Sequence, residues 1–431
     1  MVRWRAGLVR FPLHYNALPM KVIVIALHGC PLASLGPYGN EWIATPNLDR
    51  LASESIAFDN HISDCPDSAA ARRVWRTGTN RTSAEPDLLS IVKHRGGRAV
   101  LIRNNRMATD APAEFYDGWG ELFDARPDPA DPSPLDALLR VLPAALDRLA
   151  DAESWLLWIE IDRLTPPWVV KQDVFDVYIE DLHETDEGDD DREPVRPWAD
   201  PPTGWFDKDD LASWELLHRT VAAVVTVFDA ELGEVFELFR SRGLDRSATL
   251  VLTADRGWSL GEHGLVGPFR PWLHRELVQV PLIVRLPNAA EAGRRVMGLT
   301  QPPDLFATLA EWFGTPATTG HSLVPLMTGR AEAVRECAIT VQTTAIGEEW
   351  AIRTPEWAFL LPVRTDPEDD PREPLLFAQP DDPWEVDDCH SRESDVVEEL
   401  ERRLRDAASG LLRSRDDDEG ALGFVRLGLA E

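Results

Sequence analysis

The sequence predicts an α/β protein: a mostly parallel sheet flanked by helices, followed by a small C-terminal antiparallel α+β unit. Three observations lead there. Five short runs, VIVIAL (22–27), AVLI (99–102), WLLWIEI (155–161), TLVLTA (249–254) and PLIVR (281–285), are apolar at consecutive positions, as in strands buried on both faces. Stretches with helical spacing separate them, and strands alternating with helices imply a doubly covered parallel sheet. Beyond about residue 330 the pattern becomes a close succession of short strand-like segments.

The elements follow in chain order. Residues 1–20 read as an extension, because MVRWRAGLVRFPLHYNALP has scattered arginines and no continuous apolar stretch or small-residue cleavage site. It does not resemble a secretory signal, and Met20, just before the first strand, is an alternative start. The expected location is the cytoplasm. Residues 21–330 form the α/β domain. Within it Thr45 is placed to cap a helix that has Pro46 at its first position and Leu48, Leu51 and Ala52 on one face. Between Trp214 and Arg242, Leu217, Val221, Val224, Phe228, Leu232, Val235 and Phe239 recur at helical spacing, and Gly243 ends the helix. Residues 331–431 form the C-terminal subdomain: WAIRTPEWAFLLPV and EPLLFAQ as strands, then a helix with Val397, Leu400, Leu404, Ala408 and Leu411 on one side.

Composition narrows the function. The net charge is −30, so a nucleic-acid backbone would be repelled. The acid is concentrated in runs at 180–194, 364–374 and 414–420, which read as solvated loops rather than calcium sites. No apolar run approaches the ~20 residues that span a bilayer. Cys30, Cys65, Cys337 and Cys389 have no CxxC spacing, which suggests neither zinc nor a disulfide framework and fits a reducing compartment.

In open α/β sheets ligands bind beyond the carboxyl ends of the strands. His28 and Gly29 follow the first run, Arg103 and Arg106 the second, Asp162 and Arg163 the third, and Asp255 and Arg256 the fourth. Brought together, they make an anion-friendly rim; alternatively, each faces solvent or pairs with a neighbour. In DCPDSAAARRVWRTG (64–78), Asp67 or Ser68 caps a helix through Arg76, and read locally Ser68 is an N-cap rather than a functional hydroxyl. A helix N-terminus there, with Arg72 one turn on, suits sulfate or phosphate.

Several stretches, taken in order, resemble the sulfatases of the alkaline-phosphatase-like superfamily. LGPYGNEWIATPNLDRLASESIAFDNHIS (35–63) is similar to their N-terminal signature and TADRGWSLGEHG (253–264) to their second. VPLIVR (280–285), GHSLVPLMTG (320–329), AIRTPEWAFLL (351–361) and DDPWEVDD (381–388) match later markers. The resemblance covers residues 21 to 405. It implies hydrolysis of sulfate or phosphate monoesters by a formylglycine nucleophile and a divalent cation, usually calcium, which holds the nucleophile as an oxyanion.

Carried over residue by residue, the resemblance implies a changed site. The paired aspartates after the first strand fall on His28 and Gly29, and the later metal pair on Asp255 and Arg256. The nucleophile falls on Ser68, in Ser68-Ala69-Ala70-Ala71-Arg72; the arginine is kept and the proline lost. Cys65 is three positions out of register. The family's basic motifs fall on Arg103–Arg106 and Asp162–Pro166 with their lysine and histidines gone, while GEHG keeps His263 and Arg270 lies near the lost lysine. The candidate catalytic residues are therefore Ser68, Arg72 and His263. The anion-binding candidates are Arg106, Arg256 and Arg72, and the metal ligands, only if a metal is bound, are Asp255 and His28. A calcium site needs six or more oxygen ligands, so no cofactor is expected.

Three readings follow. One is a catalytically impaired sulfatase-family protein with a metal-free pocket for a small anionic ligand. Another is an active sulfuric or phosphoric ester hydrolase in which His28 and Asp255 hold zinc or manganese, or Ser68 acts alone. The last is a non-catalytic, purely structural or interaction protein, with its acidic loops and 16 tryptophans serving contacts. For the pocket itself, the alternative to anion binding is that Arg256 pairs with Asp255 in a relict core and binds nothing.

Overall fold

The computed structural model describes residues 20–80, 87–104, 113–126, 134–179, 195–207, 209–268, 273–344, 347–364 and 372–416. The N-terminal extension and most of the three acidic runs lie outside this set, as do Arg106 and Arg270.

Eight strands form the main sheet: β1 (Lys21–Leu27), β2 (Ile56–Phe58), β3 (Arg98–Asn104), β4 (Glu121–Ala125), β5 (Trp155–Ile161), β7 (Thr249–Ala254), β10 (Leu282–Arg285) and β11 (Arg294–Val296). The intervening short strands β6 (Gly204–Trp205), β8 (Ser259–Leu260) and β9 (Leu265–Gly267) make a three-stranded sheet of their own. The order in the main sheet is β11-β2-β10-β7-β1-β5-β3-β4. β1 lies between β5 and β7, parallel to both. Its Ile23, Ile25 and Leu27 belong to one core cluster, and Val22, Val24 and Ala26 to another. Burial on both faces is why this strand reads as a continuous apolar run. The PLIVR run becomes β10, which is antiparallel to β2 and β7 and the one reversed strand in an otherwise parallel sheet.

The long helix Leu211–Ser241 packs Leu217, Val221, Val224, Phe228 and Leu232 into the first cluster. Gly243, at φ 66°, takes the left-handed conformation that ends it. The helix Pro46–Ser53 starts where expected, but Thr45 makes no side-chain cap; its hydroxyl is engaged by Gly36 N and Asp49. The cap comes from the long helix instead. Asp229 accepts from the amides of Asn47 and Leu48 at 3.0 and 2.7 Å, satisfying helix-end donors from a distant element.

A second sheet is wholly antiparallel: β12 (Ala338–Thr344), β13 (Gly347–Arg353), β14 (Trp357–Arg364) and β15 (Leu375–Ala378) pair in sequence order. The sequence reading missed β12, whose AITVQTT has few large apolar residues. The helix Ser394–Asp416 covers one face of this sheet through Val397, Leu400, Leu404 and Ala408. Among the described residues no helix is long and apolar enough to cross a membrane.

Candidate active site

The parallel strands bring their carboxyl ends to one edge, and side chains gather beyond β1 and β7. His28 follows β1 directly; its amide donates to Ile161 O at the end of β5. Asp255 follows β7, and its amide donates to Leu27 O at 3.0 Å. The register of the sheet thus sets these two residues side by side. Ser68 arrives from the helix Ser68–Thr77. Asp67, not Ser68, caps this helix, accepting from Ala70 N at 2.8 Å. The Ser68 hydroxyl is thereby freed from a capping role, contrary to the sequence reading.

The contacts form one network. His28 Nδ1 lies 2.7 Å from Asp255 Oδ2, and Gly29 N donates to Asp255 Oδ1 at 2.9 Å. Arg72 Nη1 donates to Asp255 Oδ2 at 3.3 Å and to Ser68 O at 2.9 Å, while its Nε donates to Glu160 Oε1 at 2.8 Å. Arg256 Nη2 stands 3.3 Å from His28 Nε2. Ser68 Oγ is 3.3 Å from His28 Nδ1. Asp255, Arg72 and Glu160 are buried almost completely. Burial opposes the charge on Asp255, but His28, Arg256 and Arg72 outweigh it and hold the carboxyl well below the usual range. Arg72 likewise stays charged against burial because Glu160 and Asp255 flank it.

Proton geometry limits what the network can do. With Arg256 donating to His28 Nε2, the ring proton sits on Nδ1 and points at Asp255. That nitrogen has no lone pair left for the Ser68 hydroxyl. The three side chains touch, yet His28 does not stand as a base toward Ser68 in this arrangement. Among the described residues two donors of this network have no acceptor: Arg72 Nη2 and Arg256 Nε are both buried and unpaired.

The structure brings together Ser68, Arg72, His28, Asp255 and Arg256. His263 is engaged elsewhere, by Glu276 at 2.7 Å and the Glu385 carbonyl at 3.1 Å. The other strand-end arginines pair off: Arg103 with Asp124 and over the Tyr116 ring, Arg163 with Glu231. Sequence reasoning missed Glu160 and Tyr116, whose hydroxyl donates to Glu160 Oε2 at 3.0 Å. A lone acid inside the apolar run WLLWIEI was the available signal for Glu160; nothing local marks Tyr116. Gly257, which follows Arg256, has no room for a side chain, since a Cβ there would lie 2.0 Å from Glu276 O. Gly257→Ala is expected to lower stability by about 1–3 kcal/mol, measurable as a drop in urea midpoint.

Comparison with known proteins bears on the fold and the family resemblance. The Sulfatase family profile matches residues 171–315. The fold matches BT4656, solved in complex with its substrate D-glucosamine-2-N,6-O-disulfate, at a TM-score of 0.71 and 16% identity, over 93% of this chain and 99% of that one. Over these residues the chain is similar to the sulfatases, and its fold is theirs. The multifunctional alkaline phosphatase superfamily protein PehA of Trinickia caryophylli is 30% identical over 115 residues, 26% of this chain. The N-acetylglucosamine-6-O-sulfatase of Bacteroides thetaiotaomicron is 28% identical over 122 residues, 27% of this chain. Each alignment spans 22% of the relative's own length.

Proposed function

We propose that this sulfatase-family protein carries a metal-free site that binds a sulfate or phosphate group, and that its ester hydrolysis is impaired. The observation that carries the reading is how Asp255 is used. Both of its oxygens already accept N–H donors, from His28, Gly29 and Arg72. Its neighbours are an imidazole and two guanidiniums, a donor set that does not fit calcium, which takes six or more oxygens. Among the described residues no group of three His, Cys, Asp or Glu side chains is placed to share an ion. The unpaired Arg72 Nη2 and Arg256 Nε are the groups that would receive an oxyanion, with hydrogen bonds strengthened by charge. The four cysteines, none in a disulfide, suit the reducing compartment in which we place the protein.

Calorimetry tests this directly. Sulfate or phosphate is expected to bind the purified chain, and Arg256→Ala to weaken binding by roughly tenfold or more, the scale of one lost charge-assisted hydrogen bond. Calcium is expected to give no heat, and 4-nitrophenyl sulfate and phosphate no turnover. Tight calcium binding, or turnover abolished by a chelator, would overturn the proposal. A second reading rests on the contact between Ser68 and His28: a serine-dependent hydrolase acting without metal. Turnover that survives chelation and disappears in Ser68→Ala would favour it.

A further inference from the structure

Away from this site, five polar side chains join the second sheet to the β8–β9 hairpin and the segment before β10, around His263. Nδ1 of His263 faces Glu276 Oε1 at 2.7 Å and Nε2 faces the Glu385 carbonyl oxygen at 3.1 Å. A carboxylate and a carbonyl can only accept here, so both ring nitrogens must carry protons. Glu385 itself takes three donors: His274 Nδ1 at 2.9 Å, Arg275 N at 3.0 Å and Arg353 Nη2, from β13, at 2.8 Å. The His263 and His274 rings lie parallel, 3.6 Å apart at 3°.

Burial in the turn holding Glu385 runs opposite to the usual pattern. Glu385 is 2% exposed, whereas Trp384 and Val386 on either side are 59% and 76% exposed. Glu385 also has φ 57°, a conformation costly for any side chain. Polar contacts, not apolar burial, therefore hold the turn in place. The same turn, through Pro383, Trp384 and Val386, lines a cleft of about 980 Å³ that Tyr38, His263, Glu276, Arg295 and Met297 also line.

We infer that His263 is a protonated clasp that fastens the Glu385 turn to the β8–β9 hairpin and the segment before β10, and that loss of its proton frees this turn at the cleft. The groups facing the clasp are Glu276 and Arg275 from the segment before β10, His274 stacked on it, Glu385 and Arg353 from the C-terminal unit, and Glu262 beside it in the chain. Burial disfavours the charge on His263, but Glu276 and the Glu385 carbonyl outweigh it and raise the imidazole to about 9 from an ordinary 6.5. A raised value in the folded state means the clasp is at full strength below about 6.5 and is lost as pH rises through about 9.

Long-range nitrogen–proton NMR of the histidine-labelled full chain, with amide hydrogen exchange, tests this. Val386 N and Asp387 N donate to Asp382 within the turn and report its closure. His263 is expected to show two protonated nitrogens at pH 7. Protection at Val386 and Asp387 is expected to fall roughly tenfold beyond intrinsic base catalysis between pH 7 and pH ~9.5. His263→Gln should remove that pH dependence, and Glu276→Gln should lower the His263 midpoint by about one unit. A neutral His263 at pH 7, or protection with the same pH dependence in both variants, would overturn the inference. If His263→Gln does not fold, the Glu276→Gln midpoint decides alone.

Discussion

Arg72→Met is expected to cost about 3–5 kcal/mol of folding stability, read from the urea midpoint of the full chain. Arg72 is 1% exposed, and its partners Glu160 and Asp255 are 2% and 1% exposed. Removing the guanidinium leaves two carboxylates in a dry interior. Asp255 retains His28 and Gly29 N; Glu160 retains only the Tyr116 hydroxyl as a donor among the described side chains. The loss therefore comes mainly from uncompensated charge, not from the missing contact. The companion variant separates the two: Arg72→Met combined with Glu160→Gln should recover a large part of the loss, because the worst-placed charge is gone. Equal losses in the single and double variants would contradict this account of the site.

The second large effect is at acid pH and belongs to Glu385. Burial raises its carboxyl, but Arg353 and His274 outweigh burial and bring it down to about 2 from an ordinary 4.5. A depressed value in the folded state adds stability above about 4.5 that is lost as pH falls through about 2. At about 1.4 kcal/mol for each pH unit, ionised Glu385 contributes about 3 kcal/mol. Glu385→Gln should thus lower stability most at pH 5 and above, and the gap from the unchanged protein should close toward pH ~2. Urea titrations of both proteins at a series of pH values measure it. A gap that does not change with pH would mean the glutamate acts through packing alone.

These two residues also mark how far the sequence could be read. The strand positions, and with them His28 and Asp255 at strand ends, were legible because a strand buried on both faces leaves an unbroken apolar run. The ordered markers from Leu35 to Leu361 carried the family. Ser68 was legible as a nucleophile position only through that resemblance, since local rules offered it, with Asp67, as a cap, and the structure gives that role to Asp67. Glu160 and Asp229 were not legible in their roles. Glu160 sits in an otherwise apolar strand and Asp229 on the buried side of an amphipathic helix; each acts on a residue 88 or 182 positions away, and no local pattern encodes such a pairing. His263 was kept as a catalytic candidate because its motif survives, yet the folded chain surrounds it with Glu276, His274 and Glu385.

By itself the sequence determined that this protein is a mostly parallel α/β sheet with an antiparallel unit behind it, and which residues stand at the strand ends. Local hydrophobic pattern and strand-end position suffice for that. Only the tertiary structure decided that Asp255 spends both oxygens on His28, Gly29 and Arg72, that two guanidinium donors are left without acceptors among the described residues, and that Glu385 is buried between two exposed hydrophobic residues. Those facts depend on which distant side chains share a low-dielectric interior, where a charge must find its partner or cost several kcal/mol.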